Sequence, residues 1–213
     1  MQTQIINALK NENFDSISSE MLTDGRIIAF PTETVYGIGA DILNLEAIRE
    51  IYTLKGRDDC KPLTAHLKDF NSSREVASEI PDEAKIIADH FLPGPLTIIL
   101  KKKKNINDLV TSGLDTIGIR VPDNIFFQKI AHSFNGNIAA TSANFSGKQD
   151  SVDAQRVFKY FEGNIPLIID GGRCNLQTPS SVLDLSRKPY KMLREGYVTK
   201  EMIFSECGIL ISG

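Results

Sequence analysis

Short stretches with strand-like alternation of apolar and polar residues are separated in this chain by segments with helical spacing. Ile27–Phe30 is an apolar run ended by a proline, which predicts a buried strand. Further along, three apolar residues alternate with Thr64 and His66. This alternation predicts a second strand, with both polar side chains projecting together away from the core.

A helix is predicted between these two strands. Asn44 has the side chain of an N-cap, apolar residues follow at helical spacing, and Gly56 suits the position just past the helix end. Lys55 and Arg57 flank that glycine, so two cations are expected at the helix exit, outside the core. Before the helix we expect a hydroxyl-rich loop with a flexible segment at 37–39.

Helical and strand-like stretches also mix along the rest of the chain. Residues before Gly25 predict one short amphipathic helix, and Ser72 with Glu75 predicts a capping box. Pro81 suits the first turn of a further helix. Ile138–Ala140 predicts a buried strand that leads into a loop of small polar residues. With no repeat and no domain break, the pattern favours a single α/β domain over residues 1–213, with helices covering the sheet.

Composition agrees with a globular protein. The chain has 213 residues, of which 41% are hydrophobic and 24% charged, and its formal charge is -3. That charge gives no overall attraction to nucleic acid, so an RNA contact would need a local basic patch. We interpret the charge run 101–104 as a solvated turn, in preference to a phosphate or RNA contact.

Cellular location is also suggested by the sequence. The three cysteines are scattered without zinc-ligand spacing, which favours a reducing compartment. The N-terminus lacks the features of a secretory signal, and no apolar run is long enough to span a bilayer. We therefore expect a cytoplasmic protein with no membrane association.

Candidate chemistry lies in cationic and hydroxyl-bearing residues at predicted strand ends and in the adjoining loops. Ligands of open α/β sheets collect at such positions. Several Arg and Lys residues with few carboxylates suit a polyanion such as a nucleoside triphosphate. The candidates are Thr32, Lys55, Arg57, Thr64, His66, Ser112, Arg120, Thr141, Ser142, Asn144, Ser180 and Arg194.

Each candidate also has a structural interpretation. Lys55 and Arg57 could be ordinary helix-end cations, and His66 could be a half-buried strand histidine. The segment 141–144 could be a plain turn. The sequence contains no Walker-type loop, no dinucleotide-binding glycine motif, no histidine pair with metal-ligand spacing and no nucleophile elbow. A covalent nucleophile is therefore not indicated.

Several of these stretches carry a family resemblance. PTETVYG is followed by Lys55-x-Arg57 and by Lys61-Pro62-Leu63, and later by PGPLTIIL, IGIRVP, TSANFSG and Ser180-Ser181 before LREG. Over roughly residues 23–196 the chain resembles the YrdC-like family of threonylcarbamoyl-AMP synthases, in its short form without an extra C-terminal domain. The resemblance implies a twisted, open, mixed sheet flanked by helices, with a central concave pocket.

The resemblance also implies an activity. L-Threonine, bicarbonate and ATP, with Mg²⁺ held by the phosphates, would yield L-threonylcarbamoyl-AMP and pyrophosphate. Proteins that transfer the threonylcarbamoyl group to tRNA would use the product. Lys55 and Arg57 are the implied catalytic residues and would bind the nucleotide with Ser142, Asn144 and Arg194. The residues implied around threonine are Thr32, Thr64, His66, Arg120, Thr141 and Ser180.

Two alternatives remain open from the sequence. A module that binds tRNA or other RNA on a cationic concave face would need no catalysis, and a relative that handles carbamoyl groups could use a different acceptor. Pyrophosphate release that depends on threonine would separate the first function from both. Asp58 also stands where the family often has proline, and its acidic side chain could weaken phosphate binding.

Overall fold

The computed structural model describes residues 1–56 and 61–212 of the chain, and ten strands and eight helices are assigned within them. The strands are β1 Gln4–Asn7, β2 Ile28–Phe30, β3 Gly37–Asp41, β4 Thr64–His66, β5 Leu96–Lys101, β6 Thr116–Arg120, β7 Ile138–Ser142, β8 Leu167–Asp170, β9 Ser181–Asp184 and β10 Lys191–Arg194. The helices are α1 Phe14–Thr23, α2 Leu45–Lys55, α3 Ser73–Val76, α4 Asp82–Phe91, α5 Asp108–Thr111, α6 Ile125–Phe134, α7 Ala154–Phe161 and α8 Lys200–Cys207.

All ten strands belong to one open sheet with the order β1-β8-β2-β3-β7-β4-β6-β5-β9-β10. The pairs β1–β8, β2–β8, β4–β6 and β5–β9 are parallel. The pairs β2–β3, β3–β7, β4–β7, β5–β6 and β9–β10 are antiparallel. The open, mixed sheet implied by the family resemblance is therefore confirmed.

The core has two parts because side chains alternate across the sheet. In β2, Ala29 belongs to the larger apolar cluster with Ile48 of α2, whereas Phe30 packs in a smaller cluster with Phe127 of α6. Helices that pack on both faces thus bury the sheet, as the sequence pattern predicted. None of the helices in residues 1–56 and 61–212 is long and apolar enough to cross a bilayer.

Both ends of α2 follow the sequence prediction. The side chain of Asn44 accepts a hydrogen bond from the Ala47 amide at 3.0 Å. Gly56 has φ 53°, in the left-handed region where glycine ends helices without steric cost. Local capping therefore places Lys55 in the last helical turn.

Tertiary pairing overrides two of the local predictions. The N-terminal segment, expected to form one helix, contains β1 before α1, because residues 4–7 pair in parallel with β8. The stretch at 37–39, expected to be flexible, lies in β3. A Cβ on Gly39 would lie 2.7 Å from Cγ2 of Ile138, so close strand packing requires this glycine.

Three helix and strand boundaries also differ from the predictions. Ser72 has helical dihedral angles and makes no capping bond, and its hydroxyl donates instead to Asp69 at 2.9 Å. Pro81 is the N-cap of α4 rather than its first helical residue. Strand β7 continues through Ser142, beyond its predicted end, because its last two residues pair with β3.

Candidate functional site

A cavity of about 430 Å³ lies where the polar ends and faces of the central strands meet the loops that follow them. Its walls include residues of β3–β7, β9 and β10, and of the loop after β2. The predicted site residues that line it are Thr32, Thr64, His66, Arg120, Thr141, Ser142, Ser180 and Arg194. Most candidates named from the sequence thus meet in one concave site.

Arg120 is held by the loop that follows β2. One terminal nitrogen of its guanidinium, Nη2, donates to Glu33 Oε1 at 2.9 Å and to Thr34 Oγ1 at 2.5 Å. The side chains of Arg120 and Glu33 are 7% and 6% exposed. Water therefore screens this ion pair little, and the positive charge at the cavity wall has a fixed position.

Thr32 makes most of its polar contacts within its own loop. Its hydroxyl donates to the Val35 carbonyl at 2.6 Å and accepts weaker bonds from the amides of Thr34 and Val35, both at 3.2 Å. Thr32 is 1% exposed, although it lines the cavity. Its hydroxyl therefore stabilises the loop that carries Glu33.

His66 is more deeply buried than the half-buried strand residue considered from the sequence. It is 5% exposed and packs edge-on against Phe30 and Phe127, with ring centroids 6.0 and 5.8 Å away. Burial, and then the positive charge of Arg120, lowers the pKa of His66 to about 3. The imidazole is therefore neutral at pH 7.

The tautomer of His66 follows from its one hydrogen bond to the described residues. Nδ1 lies 3.3 Å from the Thr64 carbonyl, which can only accept, so the proton is on Nδ1. Nε2 then carries a lone pair, and none of the described residues donates to it. The cavity thus contains a neutral acceptor close to a fixed cation.

Arg194 and Ser180 form the wall of the cavity that is nearest the sheet edge. Nε of Arg194 donates to the Ser180 carbonyl at 2.9 Å, and the Ser180 hydroxyl lies 2.9 Å from that of Thr97. The register of β10 shifts between Met192 and Arg194. The Ser180 carbonyl holds the guanidinium of Arg194 through Nε. Because Arg194 is exposed, its guanidinium remains accessible to a ligand.

Lys55 and Asn144 do not line the cavity. Both form hydrogen bonds with Ser142, which does line it. Nζ of Lys55 donates to the carbonyls of Ser142 and Asn144, the latter at 2.5 Å, and to Asn144 Oδ1 at 3.2 Å. The Ser142 hydroxyl donates to Asn144 Oδ1 at 2.6 Å, and Asn144 Nδ2 donates to the Lys148 carbonyl at 2.6 Å.

These contacts correct one expectation from the sequence. Lys55 does end α2, but it is 3% exposed instead of lying outside the core. Carbonyl oxygens solvate its ammonium, which makes burial of the charge tolerable. A direct phosphate contact by Lys55 or Asn144 stays a prediction, and Arg57 and Asp58 lie outside the described residues.

The structure adds polar residues that were not selected from the sequence, namely Tyr36, Lys61, Thr97, Thr116 and Asp150. Thr116 could have been found, because the strand alternation places it on the same face as Arg120. Ser112, which was a candidate, is not among the lining residues, and its hydroxyl lies 3.2 Å from that of Tyr52.

The side chains that line the cavity offer few ligands for a divalent cation. Among the described residues, no group of three His, Cys, Asp or Glu side chains could hold a metal ion, and Asp150 is the one acidic side chain that lines the cavity. Magnesium in nucleotide sites usually has one or two carboxylate ligands besides phosphates and water. The donor set therefore fits a cation that enters with the phosphates of a ligand.

Comparison with known proteins gives consistent matches over most of the chain. The Sua5_yciO_yrdC family model, described as Telomere recombination, matches residues 20–196. A Pyrococcus abyssi protein named threonylcarbamoyl-AMP synthase is 40% identical over 187 residues, which are 88% of this chain and 55% of that protein. A Bacillus subtilis protein of the same name is 37% identical over 192 residues, which are 90% of this chain and 56% of that protein.

A solved structure gives the same result for the fold. The crystal structure of P. abyssi Sua5 complexed with L-threonine is 38% identical and superposes with a TM-score of 0.94. The match covers 98% of this chain and 62% of the other. The chain thus spans about half the length of the curated relatives named above.

Proposed function

The chain belongs to the Sua5_yciO_yrdC family, and on that basis we propose that it is a nucleotidyltransferase that makes L-threonylcarbamoyl-AMP. Its substrates would be L-threonine, bicarbonate and ATP, and its second product pyrophosphate. The observation that carries the proposal is the cavity, in which a buried, paired Arg120 and an exposed Arg194 line one space. Two separate cationic groups suit a reaction that brings two anions together.

Threonine is assigned to the buried side of the cavity. Arg120 would bind its carboxylate, because a guanidinium matches a carboxylate in both charge and shape. Neutral His66 offers Nε2 as an acceptor for the amine or the side-chain hydroxyl. Thr32, Thr64 and Thr141 complete this part of the lining, while Ser180, which is bonded to Arg194, stays a predicted threonine contact. The crystal structure of P. abyssi Sua5 complexed with L-threonine supports threonine as the ligand.

ATP is assigned to the side of Arg194 and Ser142. Arg194 would neutralise phosphate charge, and the Ser142 hydroxyl could donate to a phosphate oxygen. Lys55 and Asn144 would act through the segment 142–144 that they hold, while Arg57 stays a predicted phosphate ligand. Mg²⁺ bound to the phosphates, with Asp150 as the available carboxylate, would reduce repulsion between the reactants.

The proposed reaction has two bond-forming stages. The threonine amine first takes up the carbon of bicarbonate to give a carbamate, with loss of water. A carbamate oxygen then bonds to the α-phosphorus of ATP, the bond between that phosphorus and the bridging oxygen breaks, and pyrophosphate leaves. The protein contributes mainly position and charge neutralisation, as in other phosphorus transfers.

Pyrophosphate release tests this function. Release should require threonine and bicarbonate, and valine should be a much poorer substrate, because a site built to bond a hydroxyl leaves its polar groups unpaired with valine. Serine should also be poorer, since it lacks the methyl group. Equal turnover with valine, or release without any amino acid, would contradict the proposal and favour one of the alternatives. Transfer of the product to tRNA and a cytoplasmic location remain predictions.

A further inference from the structure

Glu33 lies directly behind Arg120. Its Oε1 accepts from Arg120 Nη2 at 2.9 Å, but Glu33 is not among the residues that line the cavity. The carboxylate is 6% exposed and sits in the loop that the Thr32 hydroxyl stabilises. Glu33 therefore makes no direct contact with a ligand in the cavity, and it acts on one by holding Arg120 and through the field of its negative charge.

The hydrogen bonds that Arg120 donates from its side chain all come from one terminal nitrogen, Nη2. Nη2 donates to Glu33, to Thr34 at 2.5 Å and, more weakly, to Thr32 at 3.4 Å. Among the described residues, Nε of Arg120 and Oε2 of Glu33 are buried and have no hydrogen-bond partner, and Nη1 donates to none of them. The guanidinium is thus held by one nitrogen, which leaves Nη1 as a donor for a ligand.

We propose that Glu33 is a positioning residue that makes Arg120 select a carboxylate over a phosphate. The inference rests on the proposed assignment of threonine to this part of the cavity. Glu33 already compensates the charge of Arg120, so an added monoanion meets a nearly neutral pair with a well-oriented donor. A phosphate dianion is attracted by Arg120 and repelled by the Glu33 carboxylate about twice as strongly as a monoanion, so the Glu33 charge removes more binding free energy from phosphate than from a carboxylate.

Arg194 provides the contrast within the same cavity. None of the ion pairs among the described residues involves Arg194, and its contacts are the carbonyl and hydroxyl of Ser180. Asp150, which also lines the cavity, interacts electrostatically with Arg194 but forms no ion pair with it. The guanidinium of Arg194 therefore has no bound carboxylate and can pair with a polyphosphate. The Glu33 carboxylate would direct the two kinds of anion to different arginines, so that phosphate does not occupy the amino-acid site.

The test compares Glu33→Gln with the wild type at pH 8, where phosphate is dianionic. Glutamine keeps an oxygen for Nη2 but removes the charge. Calorimetric titration of threonine, with inorganic phosphate as competitor, gives the ratio of threonine to phosphate affinity. We expect this ratio to fall roughly tenfold or more in Glu33→Gln, the size of one charge interaction at protein dielectric. A ratio within twofold of the wild type would overturn the proposal.

Three control variants separate charge from geometry. Glu33→Asp keeps the charge, and Thr34→Val removes an acceptor from the same nitrogen without changing charge, so both should keep the wild-type ratio. Glu83→Gln removes an exposed carboxylate that pairs with Lys188 and should also leave the ratio unchanged. Loss of phosphate exclusion in Thr34→Val would contradict a role for the Glu33 charge.

A second measurement needs only the wild type and covers the case in which Glu33→Gln does not fold. Acetate should displace threonine more effectively than inorganic phosphate does at equal concentration. Stronger displacement by phosphate would overturn the proposal while leaving the proposed function intact. Failure of the wild type to bind threonine at all would instead contradict the proposed function, and this inference with it.

Discussion

Arg120 and Arg194 both line the cavity, but they come from different parts of the sheet. Arg120 ends β6, which lies between β4 and β5 in the interior of the sheet, whereas Arg194 ends the edge strand β10. Arg120 is buried and paired with the Glu33 carboxylate, and Arg194 is exposed and bonded to a backbone carbonyl. The same side chain therefore has two different electrostatic environments.

The difference shows how position in a sheet sets the properties of a cation. An interior strand is covered on both faces, so a charge at its end needs a buried partner and becomes rigid. An edge strand leaves its side chains in water, where a charge needs no partner and can adapt to a ligand. The buried arginine suits a small ligand of fixed shape, and the exposed one suits a flexible polyphosphate.

Replacing each arginine by methionine should give the largest effect. Arg120→Met leaves Glu33 buried without its cation, so the free energy of unfolding should fall by about 3–5 kcal/mol. Arg194→Met removes an exposed group and should cost about 1 kcal/mol or less. Urea denaturation followed by circular dichroism measures both values.

A double variant provides the control for this comparison. Adding Glu33→Gln to Arg120→Met removes the unpaired charge and should recover part of the lost stability. If the free energy of unfolding fell by a similar, small amount in both single variants, the burial of Arg120 and its pairing with Glu33 would not set it apart from Arg194.

A second, smaller difference is expected between two residues of the segment 142–144, on the proposed nucleotide side of the cavity. Ser142→Ala should weaken ATP binding by roughly tenfold to a hundredfold, the value of one hydrogen bond to a charged group, and Asn144→Ala should weaken it indirectly by releasing the segment that carries Ser142. Asn144→Ala should also lower the melting temperature more than Ser142→Ala does, because Lys55 and the Lys148 carbonyl lose partners, whereas Ser142→Ala removes only the bond to Asn144 Oδ1. Calorimetry and thermal denaturation measure the two effects, and wild-type ATP affinity in both variants would place the nucleotide elsewhere.

The smallest effect concerns His66, beside the buried arginine. Its folded pKa of about 3 lies below the usual value of 6.5, so between these pH values the unfolded chain binds a proton that the folded chain does not. Stability should therefore fall as the pH drops below 6.5, by up to about 1.4 kcal/mol per pH unit. His66→Gln should remove this part of the slope in urea titrations between pH 7 and 5. Parallel slopes would show that His66 titrates normally.

Much of the fold could be predicted because it depends on neighbouring residues. The caps of α2 and the buried strand β2 follow from local spacing, and the structure confirms them. The predictions were wrong where pairing with a distant strand decided the outcome. Residues 4–7 are a strand because β8 lies beside them, and Gly37–Asp41 is a strand because β2 and β7 lie on either side.

In the candidate site, too, local patterns were predicted correctly and contacts between distant residues were missed. Alternation along β4 correctly grouped Thr64 with His66 on a polar face that lines the cavity. No pattern indicated that Glu33 pairs with Arg120, because the two residues are 87 positions apart. Thr97 and Asp150 were likewise missed, since neither stands in a distinctive local pattern.

By itself, the sequence determined the fold class, the helix caps and the set of polar residues at the ends of strands, because these depend on side-chain chemistry and short-range spacing. Only the tertiary structure decided which of those residues meet, and in what electrostatic state. Strand order brings Lys55 to Asn144 across 89 positions and buries His66 beside Arg120. Desolvation and charge–charge interactions depend on these distances in space, so the lowered pKa of His66 and the paired arginine arise only once the sheet has formed.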